Sequence, residues 1–164
     1  MIQRKQSIYL LIILFTCLAL FAGNPLIYEV SGIDQWTLGT KGTIEVSVLK
    51  IDGIVGDQVQ FSVWNSYLIY SLAVIGLLAG IALFNFKNRK MQLLMCGFNY
   101  LAMLIFAVLV YVYVQDGIQR VYEIHSTSRH YLIGAAAFLP LWNYLAMRGI
   151  MRDEKLIRSM DRLR

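Results

Sequence analysis

Four stretches of this chain contain no Asp, Glu, Lys, Arg or His: SIYLLIILFTCLALFAG, NSYLIYSLAVIGLLAGIALFNF, MQLLMCGFNYLAMLIFAVLVYVYV and YLIGAAAFLPLWNYLAM. A helix crossing a hydrocarbon layer ~30 Å thick needs about 20 predominantly apolar residues, because it rises ~1.5 Å per residue. An ionised side chain at the centre of that layer costs at least about 2.5 kcal/mol. Uncharged runs of this length therefore predict membrane spans over residues 7–23, 65–86, 91–114 and 131–147. Composition points the same way. Hydrophobic residues make up 58% of the chain and charged ones 15%, against roughly 45–50% and about 25% in soluble domains. So few charges cannot cover a surface facing water. The first stretch, preceded by Arg4 and Lys5, also has the outline of a signal peptide. A cleavage site needs small residues at minus three and minus one, and ending at Gly23 or Ala22 puts Phe21 or Leu20 there, so an uncleaved first span is expected.

Charge sets the orientation. Arg4 and Lys5, then Lys87, Arg89 and Lys90 in the second connection, then Arg148, Arg152, Lys155, Arg158, Arg162 and Arg164 in the tail all fall on one side if the four stretches span. The other side holds Lys41, Lys50, Arg120 and Arg129 with Glu29, Asp34, Glu45, Asp52, Asp57, Asp116 and Glu123. Short cytoplasmic segments carry the excess of Lys and Arg, so both termini are expected in the cytoplasm, with the first connection on the opposite side of the membrane. The net charge of +5 follows from this sidedness and needs no nucleic acid to explain it.

Residues 24–64 change grammar. GTIEVSVLKIDG alternates Ile44, Val46 and Val48 with Glu45 and Ser47, and QVQFSVW alternates Val59, Phe61 and Val63 with Gln58, Gln60 and Ser62. Period two with Asp52-Gly53 and Gly56-Asp57 as turns reads as an antiparallel hairpin. LIYEV (26–30) supplies a third strand, since a lone hairpin is marginal in water. Asn24-Pro25 and GTKGT (39–43) break the chain at its edges. The fold expected is an all-α membrane protein: one integral domain over residues 1–164, a four-transmembrane-helix bundle with a small antiparallel β-rich periplasmic loop. That arrangement is similar to the claudin-like layout, without its loop cysteines. Cys17 and Cys96 lie in apolar runs and read as free, buried thiols.

Chemistry is sparse. GLLAG sets Gly76 and Gly80 four apart with Ala73 nearby, a pattern that lets helix backbones approach in lipid. Thr16, Ser71, Asn99 and Asn143 are the main polar residues within the spans, and Pro140 interrupts the fourth. Interhelical hydrogen bonds and a kink are the plain reading, and a transport path lined by Asn99, Asn143 and Pro140 is the alternative. His125 and His130, with Asp116 and Glu123, match no zinc spacing, so no metal and no cofactor are expected. Tyr111, Tyr113, Tyr122 and Tyr131 read as an aromatic girdle at the lipid boundary. The chain has no GxSxG elbow, HExxH or P-loop, and no enzymatic activity is expected.

The tail, residues 148–164, continues the fourth helix with Ile150, Leu156, Ile157, Met160 and Leu163 largely on one face, and Glu154 and Arg158 are set for an i,i+4 ion pair. It would lie on anionic lipid, each basic residue contributing about 1 kcal/mol near the surface, or dock a cytoplasmic protein. Three stretches, MIQRKQSIYLL, FKNRKMQ and above all LWNYLAMRGIMRDEKLIRSMDRLR, resemble a family of small four-pass inner-membrane proteins of Bacteroidetes catalogued as a domain of unknown function (4293). Arg4, Asn88, Arg89, Gln92, Arg152, Asp153, Glu154, Lys155, Arg158, Ser159, Asp161, Arg162 and Arg164 match its motif. The resemblance implies four spans and cytoplasmic termini, with no activity, cofactor or catalytic residue. A recognisable order of acidic and basic residues in the tail points to protein recognition. The function expected is thus an accessory or scaffold subunit. It docks a membrane or cytoplasmic partner through Arg152, Asp153, Glu154, Lys155, Arg158, Asp161 and Arg162, and a second partner through its external loop. A homo-oligomer is compatible with this reading, and a small transporter or channel component is the runner-up.

Overall fold

A computed structural model describes residues 5–34, 41–55, 58–86, 88–119, 121–129 and 134–161. In chain order the elements are α1 (Lys5–Gly23), β1 (Leu26–Asp34), β2 (Lys41–Ser47), β3 (Lys50–Val55), β4 (Gln58–Trp64), α2 (Ser66–Phe84), α3 (Arg89–Gln119), β5 (Val121–Arg129), α4 (Gly134–Ala137) and α5 (Leu139–Asp161). The four long helices pack in a ring, α1 on α2, α2 on α3, α3 on α5 and α5 on α1. Leu10, Ile13, Leu68, Leu72, Ile75 and Ile150 are buried within it. The outer faces of α2 and α3 are as apolar as the inner ones: Tyr70, Val74, Leu77 and Phe84 on α2, and Phe98, Leu101, Leu104 and Val108 on α3, are exposed. A helix apolar all round suits a lipid surrounding rather than water.

The expected bundle of four transmembrane helices in a claudin-like layout is not what the structure contains. Among the described residues, two helices are long and apolar enough to cross a membrane, α2 and α3. The apolar part of α1, Ser7–Gly23, would cover only about 25 Å at ~1.5 Å per residue, short of the ~30 Å core. The fourth stretch is not one helix. Gly134–Ala137 forms the single turn α4, and α5 begins at Leu139 and carries Arg148, Arg152, Asp153, Glu154 and Lys155 along its length. Pro140 accordingly stands in the first turn of α5 rather than kinking a span. There its missing N–H costs no intrahelical bond.

The sheet also departs from expectation. It is antiparallel with five strands in the order β4-β3-β2-β1-β5, so the second connection contributes β5, which pairs along β1 from Tyr28↔Arg129 to Asp34↔Val121. LIYEV is a strand, extended as β1 to Asp34. GTIEVSVLKIDG folds on itself: β2 and β3 pair with Glu45 opposite Asp52, and the chain reverses at Val48–Leu49. Asp52-Gly53 is therefore inside β3 and not a turn. The Phe61 ring fills the space beside Gly53 across the β3–β4 pair.

The sheet is fastened to the helices at two places. Val48–Leu49 is held between the junctions that flank the sheet segment: Leu49 N–H donates to Asn24 Oδ1 (2.8 Å), Asn65 N–H to the Leu49 carbonyl (2.7 Å), and Asn65 Nδ2 to the Ser47 carbonyl (2.8 Å). Asn24 does this from φ 39°, a left-handed conformation that Asn tolerates better than most residues. At the other place α3, at about 46 Å for 31 residues, is longer than the ~30 Å a membrane crossing requires and lays Gly117 against Val46 and Ile44 of β2.

Candidate functional site

A polar seam runs between α3 and α5. Gln92, Cys96 and Asn99 are buried on one face of α3 together with Ala102, Met103 and Phe106, a spacing of three and four that keeps one helix face inward. Arg89 starts the same row. On α5, Asn143 Nδ2 donates to the Cys96 carbonyl (2.9 Å), and Tyr100 Oη donates to the Pro140 carbonyl (3.0 Å). Arg89 Nη2 faces Asp153 Oδ2 at 3.9 Å. These three contacts fix an antiparallel pair in which α5 begins beside Tyr100, 19 residues short of the end of α3, about 28 Å along its axis. Trp142 stacks on Tyr9 of α1, with centroids 6.1 Å apart.

Burial along the seam is nearly complete at its inner end. Asn143 is 0% exposed, Gln92 and Asn99 1% each. Six polar atoms of this seam, Arg89 Nη1, Gln92 Nε2 and Oε1, Asn99 Nδ2 and Oδ1, and Asn143 Oδ1, are buried with no hydrogen-bond partner among the described residues. At roughly 1–3 kcal/mol for each unmade bond, they would cost about 6–18 kcal/mol. That rivals the ~5–15 kcal/mol net stability of a whole domain. Thr16 and Ser71 are different. Their hydroxyls donate to the carbonyls of Ile12 (2.8 Å) and Leu68 (2.9 Å) in their own helices, the local back-bond available to such residues in a helix, and not to a neighbouring helix as expected.

Gly76 and Gly80 face α1. A Cβ on Gly76 would meet Cys17 Cβ at 3.6 Å, and one on Gly80 would meet Leu14 Cδ1 at 3.7 Å. An apolar groove of about 500 Å³ beside them is lined by Leu14, Cys17, Leu72, Ala73, Gly76 and Leu77 among others. Both cysteines are free and buried.

The tail residues divide. Asp153 is turned to Arg89 rather than outward, Arg152 and Lys155 are exposed on α5, and Glu154 is half-buried. Arg158 and Asp161 are placed by backbone only, in the last turn of α5, and Arg162, Leu163 and Arg164 lie outside the described residues. Ile150 of the expected apolar face is buried in the ring, whereas Leu156 is exposed. His125 and Glu123 fall in β5, and Arg4, Lys87, Arg120, His130, Tyr131 and residues 39–40 of GTKGT lie outside the described residues. Tyr111 is exposed near the sheet end of α3, and Trp64 at the end of β4 and Tyr67 at the start of α2 are exposed as well.

Reading the spans for isolated polar residues missed two members of the seam, and missed Asn65 of the clamp on the sheet. Arg89 and Gln92 complete a 3-4-3 spacing with Cys96 and Asn99 that is visible in RKMQLLMCGFN. Asn65, at the boundary between an alternating and a continuous apolar pattern, had no signal beyond its position.

The elements together define a class: among the described residues, two helices long and apolar enough to cross a membrane, held in a ring with two further long helices and joined at one end to a five-stranded antiparallel sheet. The chain belongs to the family described as Domain of unknown function (DUF4293), whose model matches residues 2–163. No curated protein matches it.

Proposed function

We propose that the protein is a non-enzymatic, multi-pass accessory or scaffold protein of a bacterial inner membrane, presenting the sheet outside and the α5 tail in the cytoplasm. The distribution of charge between the two ends supports the orientation. The end of the ring bearing the α2–α3 turn holds Arg89, Lys90, Arg152 and Lys155 with Asp153 and Glu154, while the sheet end holds Lys41, Lys50 and Arg129 with Glu29, Asp34, Glu45, Asp52, Asp116 and Glu123. Cytoplasmic flanks carry the Lys and Arg excess, so the turn and the tail belong inside.

The observation that carries the docking role is β4. It lies at a sheet edge, and of its seven residues all but the half-buried Phe61 are exposed, among them Val59, Val63 and Trp64. QVQFSVW contains no charge and no Pro, the devices that usually keep an edge from pairing, so it is suited to accept a strand from a partner. On the other side Arg152 and Lys155 offer charge-assisted donors. Photocrosslinking residues placed at Gln60, Ser62, Arg152 and Lys155 in living cells test this. Recurrent protein adducts, lost at the edge when Gln60→Lys is introduced, are expected. Adducts to lipid alone at all four positions would refute it.

A further inference from the structure

The polar seam between α3 and α5 is independent of the docking surfaces, and its chemistry can be read atom by atom. Asn143 is held in one amide orientation by its bond to the Cys96 carbonyl, so it presents an acceptor. Gln92 and Asn99 each leave a donor and an acceptor unmet. A cation bound there would answer the three carbonyl oxygens and leave the two NH₂ groups unpaired, and an anion would do the reverse. An occupant that both donates and accepts meets all of them, and the smallest is water, which fills buried polar sites of this kind with two to four hydrogen bonds. The polar groups are also arranged as a line. From Arg89 to Asn99 is ten residues, about 15 Å along α3, longer than one small molecule spans through hydrogen bonds but suited to several waters in file. One end of the line is open, since Arg89 is 16% and Asp153 34% exposed at the α2–α3 turn. The other end closes at Asn99 and Asn143, where α5 starts.

We propose that the Arg89–Gln92–Asn99–Asn143 seam is a hydrated inlet: a file of water entering beside the Arg89–Asp153 pair and ending midway along the helical ring. Pro140, expected as part of a polar path, is not in it. Its side is exposed and its carbonyl is taken by Tyr100. Cys96, which stands between Gln92 and Asn99 on the buried face, is a native reporter within the inlet. Cys17, in the wholly apolar α1–α2 groove, is its internal control.

The test uses the full chain in lipid nanodiscs as two single-cysteine variants, Cys17→Ala and Cys96→Ala. Silver ion, which binds thiols and travels only where water does, is added for timed intervals, and protected thiols are counted by mass after maleimide labelling in denaturant. Cys96 is expected to react at least tenfold faster than Cys17, and Gln92→Leu to bring the Cys96 rate down towards that of Cys17. Equal rates for the two native cysteines would overturn the proposal without any seam variant having to fold. So would a fast Cys96 rate that Gln92→Leu, folded by circular dichroism, leaves unchanged.

Discussion

Two glycines of α3 separate helix propensity from packing. Gly97 has nothing within 4 Å of an added Cβ, whereas at Gly117 that carbon would lie 2.8 Å from Val46 Cγ2 and 4.0 Å from Ile44 Cγ2. Carbon atoms at rest sit about 3.5–4.0 Å apart. Val46 is fully buried in β2, and its branched side chain has no flexible end to move aside. Replacing either glycine by alanine gains up to about 1 kcal/mol of helix propensity. At position 117 that gain meets an overpacking cost of about 1–3 kcal/mol. Because the propensity term is common to both variants, the difference between them reports the helix–sheet contact, about 1–3 kcal/mol in favour of Gly97→Ala. For a chain of this size each kcal/mol moves the midpoint by roughly 2–4 °C. Thermal unfolding of both variants in one detergent, followed by circular dichroism, is therefore expected to place Gly117→Ala roughly 2–12 °C below Gly97→Ala. Adding Val46→Ala should couple favourably with Gly117→Ala, making the double variant less damaged than the sum of the singles. Equal midpoints for the two alanine variants would refute the docking of α3 on β2.

Three further outcomes follow from the same contacts. Asn24→Ala should cost more than Asn24→Gly, because both lose the bond to Leu49 N–H but only glycine adopts φ 39° freely; denaturant titration should show about 1–2 kcal/mol for alanine. Asn65→Ala removes the donor to the Ser47 carbonyl and should speed hydrogen exchange at Leu49, whose turn it clamps, while leaving exchange in α3 unchanged. Asp153→Asn, at a 3.9 Å pair that is partly exposed, should cost no more than about 1 kcal/mol in thermal unfolding.

Hydropathy located α1 and α2 closely, and α3 as far as Val114, because an uncharged apolar run marks a segment kept from water; the end of α3 beyond it, to Gln119, carries Asp116 and gave no such signal. It failed at residues 131–147 for the same reason: apolarity says that Tyr131 to Met147 are kept from water, not that they form one helix. β5 was hidden in a short connection. VYEIHSTSR has the β-branched and aromatic residues of a strand, but its partner β1 is some ninety residues earlier in the sequence, and only that pairing makes it one. The reversal at Val48–Leu49 has no Gly, Pro or Asn of its own, and its local mark is a single Ser: Ser47 Oγ donates to the Lys50 carbonyl (2.7 Å) and accepts from Lys50 N–H (3.3 Å). The rest of its turn chemistry comes from Asn24 and Asn65, 25 and 18 residues from the atoms they bind. The seam was half legible. Asn99 and Asn143 stood out as amides in apolar runs, but Gln92 lies so near a charged connection that it reads as a flank, until α5 is seen to cover it.

The claim on which the rest depends is that the sheet and the α2–α3 turn face opposite sides of a membrane. In a cysteine-free background, Ser62→Cys on β4 and Asn88→Cys at the turn, both exposed, report it directly when intact spheroplasts are treated with a membrane-impermeant maleimide. Labelling of position 62 from outside, with position 88 labelled only after permeabilisation, is the expected result. Equal labelling of both in intact spheroplasts, or recovery of the protein without membranes, would contradict it.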